Sequence, residues 1–293
     1  MCRCRQVGIN GSLAVFRSFP ERFVGDPKSN RGSCDFVSIT VYDSASFGRK
    51  NNEGRISVSE LNELKKKLAM SSRMLFNAGL VDYSGHISVR IPGSDHLLIL
   101  PHPVSRATVA PDDMVVTDFE GKLIGGKYRA PSEVFMHARA YKARPDIQSV
   151  AHLHNHMVAV LSMVDKPFYP ASSNPGAFFG PGPLPLYMDP ALIHTIEQGD
   201  AVAKTLGNGE AVMLRGHGSM VVGQAIEWVF AGCVDLEEAA SRFYKASLLG
   251  PVRLYNEDET QRVMKGRRKD SVVQKVWDHN VAKTKLMGLM GGI

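Results

Sequence analysis

The hydrophobic pattern of the chain changes period repeatedly, and each change marks an element. Leu61, Leu64, Leu68, Leu75 and Phe76 recur at helical spacing behind Ser57-Val-Ser-Glu60. That start fits a capping box, so a helix is predicted from Ser57 to about Gly79. Short β-like runs follow: His86-Ile-Ser-Val-Arg90, Leu97-Leu-Ile-Leu100 and Met114-Val-Val-Thr117. Asp118-Phe-Glu-Gly121 reads as a hairpin turn into Lys122-Leu-Ile124. Residues 132–143 are predicted helical and are stopped by Arg144-Pro145. Residues 149–154 form an apolar strand with a helix just after it. Further on, helices are predicted over about 190–205, 226–248 and 271–286, and strands at Ala211-Val-Met-Leu214 and Met220-Val-Val222. Residues 167–190 are dense in Pro and Gly and read as a long ordered loop. Alternation of short strands with helices and the absence of any internal repeat predict one α/β domain.

Composition narrows the class. The chain has 293 residues, 44% of them apolar, enough for a sizeable core. No apolar run approaches the roughly eighteen residues of a membrane span, so no membrane partner is expected. The net charge of +6 is local, with Arg3, Arg5, Arg262, Lys265, Arg267, Arg268 and Lys269 toward the ends. There is no basic stripe with interleaved aromatics, so no nucleic-acid partner is expected either. Cys2, Cys4, Cys34 and Cys233 make no disulfide framework. With no apolar secretory core at the start, the cytoplasm is the expected location. The early Arg and Ser content also suits a transit segment, which Glu21, Asp26 and Asp35 oppose. Residues 1–55 show no sustained period and read as a flexible N-terminal extension; residues 256–293 read as a C-terminal helical tail.

Candidate chemistry concentrates in Val150-Ala-His-Leu-His-Asn-His156 and Leu214-Arg-Gly-His-Gly218. On a strand, His152 and His154 share a face, because side chains alternate with period two. Two polar side chains in an apolar strand need partners, and a metal ion satisfies both. His217, held between glycines, can complete the set; three nitrogens beside a carboxylate suit a catalytic divalent ion. Glu133 lies nineteen residues before His152 at a helix start; taken alone it reads as a helix-end charge, and beside a His-x-His strand it becomes a candidate ligand or acid/base. His156 either lines the pocket or caps the next helix.

These stations occur in a telling order: Gly79-Leu-Val-Asp-Tyr-Ser-Gly-His-Ile-Ser-Val-Arg90, Pro131-Ser-Glu133, Ala140-Tyr-Lys-Ala-Arg-Pro-Asp146, the His152-x-His154 pair and Leu214-Arg-Gly-His-Gly218. Over residues 56–255 the sequence resembles the class II aldolase/adducin family. The resemblance implies a three-layer α/β/α domain with a central, mostly antiparallel sheet. It also implies a homotetramer with active sites at subunit interfaces. One divalent metal ion per subunit is implied, zinc or manganese ahead of magnesium or cobalt, on His152, His154 and His217. The family's acidic residue, ligand or acid/base, falls on Glu133.

The sequence departs from the family's sugar-phosphate aldolases where they hold phosphate. Gly85-His-Ile-Ser88, Leu100-Pro-His-Pro103 and Pro131-Ser-Glu133 stand where hydroxyls and an amide would be. The aldolases' tyrosine proton donor has no counterpart in Ala171-Ser-Ser-Asn-Pro175. A dianionic phosphate needs several donors, so a carboxylate substrate is the better expectation. Arg106 and Arg90 are candidate carboxylate partners, with Ser105, His102 and His156 lining the pocket. The expected reaction is decarboxylation of a hydroxylated aromatic or β-oxo acid through a metal-stabilised enolate or phenolate. Glu133 or a pocket histidine such as His86 would be the proton donor. The alternatives are an aldolase or epimerase on a hydroxy-carbonyl substrate, and a non-catalytic adducin-like interaction module.

Overall fold

The computed structural model describes residues 56–170, 179–180, 182–265 and 269–293. The expected extension over residues 1–55 and the 171–175 stretch lie outside the described residues. The first helix, α1 (Val58–Asn77), starts at the predicted capping box. Glu60 N–H donates to Ser57 Oγ, and Ser57 N–H donates to the Glu60 carboxylate. Strands β1 (His86–Arg90), β2 (His96–Ile99), β3 (Val115–Asp118) and β4 (Leu123–Gly125) follow. Next come α2 (Val134–Ala143), β5 (Ser149–Leu153), α3 (His156–Leu161) and β6 (Leu186–Tyr187). The chain continues through α4 (Ile196–Leu206), β7 (Ala211–Leu214), β8 (Gly218–Gly223), α5 (Ile226–Leu249), α6 (Glu257–Lys265) and α7 (Asp270–Leu286).

The strands form one sheet in the order β4-β3-β2-β1-β5-β8-β7-β6. Every pairing is antiparallel except the parallel contact of β6 with β7. Side-chain alternation splits the core in two. Ile87, Val89, Ala151, Leu153 and Val221 pack with Leu68, Val229, Phe230 and Trp277 from α1, α5 and α7. On the opposite face, Val150, Met220, Val222 and Val212 pack with Met136, Tyr141, Val202 and Leu206 from α2 and α4. The result is the expected α/β/α sandwich. None of the described helices is long and apolar enough to cross a membrane.

Two boundaries moved for identifiable reasons. Helix α4 starts at Ile196, not near 190, because Thr195 caps it by accepting from Gln198 N–H. Strand β5 stops at Leu153, so His154 lies one residue past the ladder. The C-terminal segment is tied inward: Trp277 stacks edge-on against Phe230, and Arg73 donates to the carbonyls of Leu289 and Gly291.

Candidate metal centre

The register of the central strands builds the site. β5 lies between β1 and β8, which sets His152 opposite His86 on one side and Met220 on the other. His86, Ser88 and Arg90 therefore point to the same face as His152, toward α2. Glu133 stands at the start of α2 and reaches that face from above the sheet. His217 occupies the turn between β7 and β8. Ligand atoms of Glu133, His152, His154 and His217 all lie within 4.8 Å of one another.

The three imidazoles converge through their Nε2 atoms, 3.1 Å between His152 and His154 and 3.2 Å between His154 and His217. Glu133 Oε2 is 3.5 Å from His152 Nε2, and Oε1 is 3.6 Å from His217 Nε2. His152 Nδ1–H donates to the Ser219 carbonyl at 3.1 Å, which leaves the Nε2 lone pair facing the cluster. Burial, together with neighbouring His152 and His217, lowers the His154 pKa to about 4. Burial likewise lowers that of His217. Burial pushes the Glu133 carboxyl up, but its interactions with His152, His217 and His154 outweigh this and hold it below the usual range. Glu133 Oε1 is buried and accepts no hydrogen bond. Converging imidazole nitrogens beside a carboxylate with an unpaired buried oxygen fit a divalent cation.

Supporting contacts fix the loops that carry these side chains. Ser219 Oγ donates to Asn155 Oδ1 next to His154. The Glu237 carboxylate of α5 accepts from the N–H groups of Met157 and Val158. Ser162 Oγ accepts from Gly216 N–H at 2.8 Å, tying the His217 turn to the far end of α3. Gly218 has φ +145°, and a Cβ there would collide with the Leu153 carbonyl oxygen.

The other sequence candidates fall into different places. His86 joins the cluster's edge, with Nε2 3.9 Å from Glu133 Oε2. Arg106 is buried; its Nε donates to Gly85 O and its Nη1 to Pro101 O and Val104 O, so the guanidinium shapes the loop under His86. Burial lowers its pKa to about 10, with Asp82 acting the other way. His102 and Ser105 are exposed on the same loop; His102 lies against Arg129 Nη2, and Ser105 Oγ accepts from Ala107 N–H.

Arg90 and His156, both expected at the substrate, are elsewhere. Arg90 donates to the carbonyls of Ile147, Tyr141 and Arg144 and stacks on Phe119, so it closes the C-terminal end of α2. The unpaired carbonyls of a helix end attract a cation, which explains its capture there. His156 opens α3 and is exposed on the outside of the turn, because the strand has ended and the alternation no longer applies.

Sequence reasoning missed His137. It lies four residues after Glu133, one helical turn along the same face of α2, and is fully buried against His86. Burial first, with a contribution from His152, lowers its pKa to about 3, and His86 is pushed well below 6.5 by burial, His137 and His152. The unfolded chain takes up protons near pH 6.5 that these folded rings refuse. Stability from them is present above that pH and is lost as pH falls toward 3. We expect the urea midpoint of chelated protein to drop steadily from pH 7 to pH 5, and a flat profile would contradict this assignment.

Comparison with known proteins agrees with this geometry. The sequence pattern of the class II aldolase and adducin N-terminal domain matches residues 66–244. The chain belongs to that family, and it is a metal-dependent lyase. A 3,4-dihydroxyphthalate decarboxylase of Rhodococcus jostii (strain RHA1) is 28% identical, over 74% of this chain and 93% of its own length. A 5-deoxy-D-ribulose 1-phosphate aldolase of Bacillus thuringiensis serovar kurstaki is 24% identical, over 70% of this chain and 95% of its own. An L-fuculose 1-phosphate aldolase from Glaciozyma antarctica PI12 superposes with a TM-score of 0.68 at 22% identity, covering 83% of this chain and 96% of its own. That last likeness speaks to the fold alone.

Proposed function

We propose that the protein decarboxylates a hydroxylated aromatic or β-oxo carboxylic acid, with zinc or manganese on His152, His154 and His217. One observation carries the reading: buried His86 stands beside Glu133, with the buried Arg106 cation beneath it, where a sugar-phosphate cradle needs small hydroxyl and amide donors. The decarboxylase relative supports it.

A bound divalent ion would supply Lewis-acid polarisation of a substrate oxygen. The protein's own groups do the rest. Glu133, ionised at rest, takes the proton from the substrate hydroxyl as it binds. The bond to the carboxylate then breaks and CO₂ leaves. Glu133 returns its proton to the ring carbon left behind. Arg106 contributes positive potential under the loop, which draws the substrate carboxylate toward His86. Exposed His102 and Ser105 would line the mouth.

Metal-loaded protein is expected to release CO₂ from one of a panel of hydroxylated aromatic acids. Glu133→Gln should lower kcat by about 100-fold or more. Full activity after chelation would sink the proposal. The second reading, an aldolase on a hydroxy-carbonyl substrate, is favoured by the ribulose-phosphate aldolase relative and would show as an aldehyde product. An adducin-like interaction module has no need of the assembled ligand set.

A further inference from the structure

A second polar chain runs away from the metal cluster into the core between the sheet and α2. His86 Nδ1 is 2.8 Å from His137 Nε2, His137 Nδ1 is 2.8 Å from Ser88 Oγ, and Ser88 Oγ is 2.8 Å from the Tyr141 hydroxyl. All four side chains are at most 4% exposed. Three contacts of this length in a dry core are ordered hydrogen bonds, and each has one proton to share.

With both rings neutral, the protons can be arranged in two ways. In the first, Tyr141 donates to Ser88, Ser88 to His137 Nδ1, and His137 Nε2–H to His86 Nδ1. His86 then presents Nε2–H to the site. In the second, every arrow reverses, Ser88 turns toward Tyr141 or toward Val150 O at 3.4 Å, and His86 presents a bare lone pair. That lone pair would face Glu133 Oε2 at 3.9 Å, carboxylate against lone pair. An N–H at the same place is attracted to the carboxylate. Burial also pushes the Tyr141 hydroxyl well above the usual phenol range, so the far end stays a phenol with a proton to give. Ser88 Oγ, at 2.8 Å, is placed to receive it.

We propose that His137, Ser88 and Tyr141 are positioning residues that hold His86 in its Nε2–H tautomer. His86 thereby turns a standing N–H toward Glu133 Oε2, 3.9 Å away, and offers it as a donor to a substrate oxygen lodged between them. Its consequence for turnover rests on the decarboxylase reading; the tautomer itself does not. A neutral imidazole whose other nitrogen is already an acceptor is a poor proton source. The relay therefore gives His86 the task of orienting charge, and leaves proton transfer to Glu133.

Long-range ¹H–¹⁵N correlation spectra of zinc-loaded, ¹⁵N-labelled protein test this directly. The expected pattern for His86 is protonated Nε2 and unprotonated Nδ1; a protonated Nδ1 in the unmodified protein overturns the proposal. His137→Phe should abolish the pattern and lower kcat about 10–100-fold, with KM and zinc content little changed. His137→Gln keeps a donor toward His86 Nδ1 and should restore both. Equal kcat in the unmodified, Phe and Gln proteins also overturns it. Should the Phe variant fail to fold, Tyr141→Phe frees Ser88 to accept from His137, and should yield both His86 tautomers. The Nε2–H pattern in a protein that releases no CO₂ would refute the substrate reading and uphold the relay.

Discussion

His154→Ala protein is expected to lose metal and CO₂ release together. Changes to groups that merely orient ligands cost about 10–100-fold in affinity, so deletion of a ligand should exceed about 100-fold. The fold should survive. His154 is only partly buried and lies beyond the end of β5, so its side chain leaves no large void. Its loss also relieves the crowding of three imidazoles whose Nε2 atoms sit 3.1 and 3.2 Å apart. Metal-free His154→Ala should therefore be no less stable than the metal-free parent at pH 5. Because the ligands act as one unit, the His152→Ala/His154→Ala double variant should be scarcely worse than either single variant. Elemental analysis of dialysed protein and a CO₂ assay check both statements. Stoichiometric metal in His154→Ala would show that the cluster is not the binding site.

Gly218→Ala should be the most damaging small substitution. The added methyl would strike the Leu153 carbonyl oxygen, which belongs to backbone and cannot swing aside. The collision sits between the strand that leads to His154 and the turn that carries His217. Relief requires β8 to move away from the end of β5, which separates His154 from His217. Combined strain and lost pairing should cost about 3 kcal/mol, equivalent to a melting point lower by roughly 6–12 °C. Gly216→Ala is the control. Its φ of +65° is also glycine-like, but the nearest atom to its Cβ would be Met163 Cγ at 4.0 Å. It should cost about 1–2 kcal/mol from backbone conformation alone. Equal melting points for the two variants would show that the close approach at Leu153 contributes nothing.

Much of the architecture follows from local signals. The capping box at Ser57, the alternating apolar runs and the glycine turns are short-range rules, and a single stretch of chain contains everything each rule needs. The histidines of the cluster were legible for a related reason. His152 and His154 stand out as polar residues in an apolar strand, and His217 as a side chain between two glycines. Arg90 and His156 show where such reading runs out. Arg90 follows the alternation faithfully, yet its guanidinium is captured by the carbonyl end of α2, a contact between elements more than fifty residues apart in the chain. His156 keeps the spacing of its neighbours but has already left the strand.

The order of elements, the α/β class and the candidate histidines were thus readable from short stretches of chain, because periodicity and residue chemistry are local properties. What surrounds those histidines depends on contacts between distant elements. The pairing of β1 with β5 puts His86 opposite His152, and the docking of α2 on that face brings His137 and Tyr141 onto Ser88. Register and helix docking are set by how distant surfaces fill space, and no single segment of the chain carries that information.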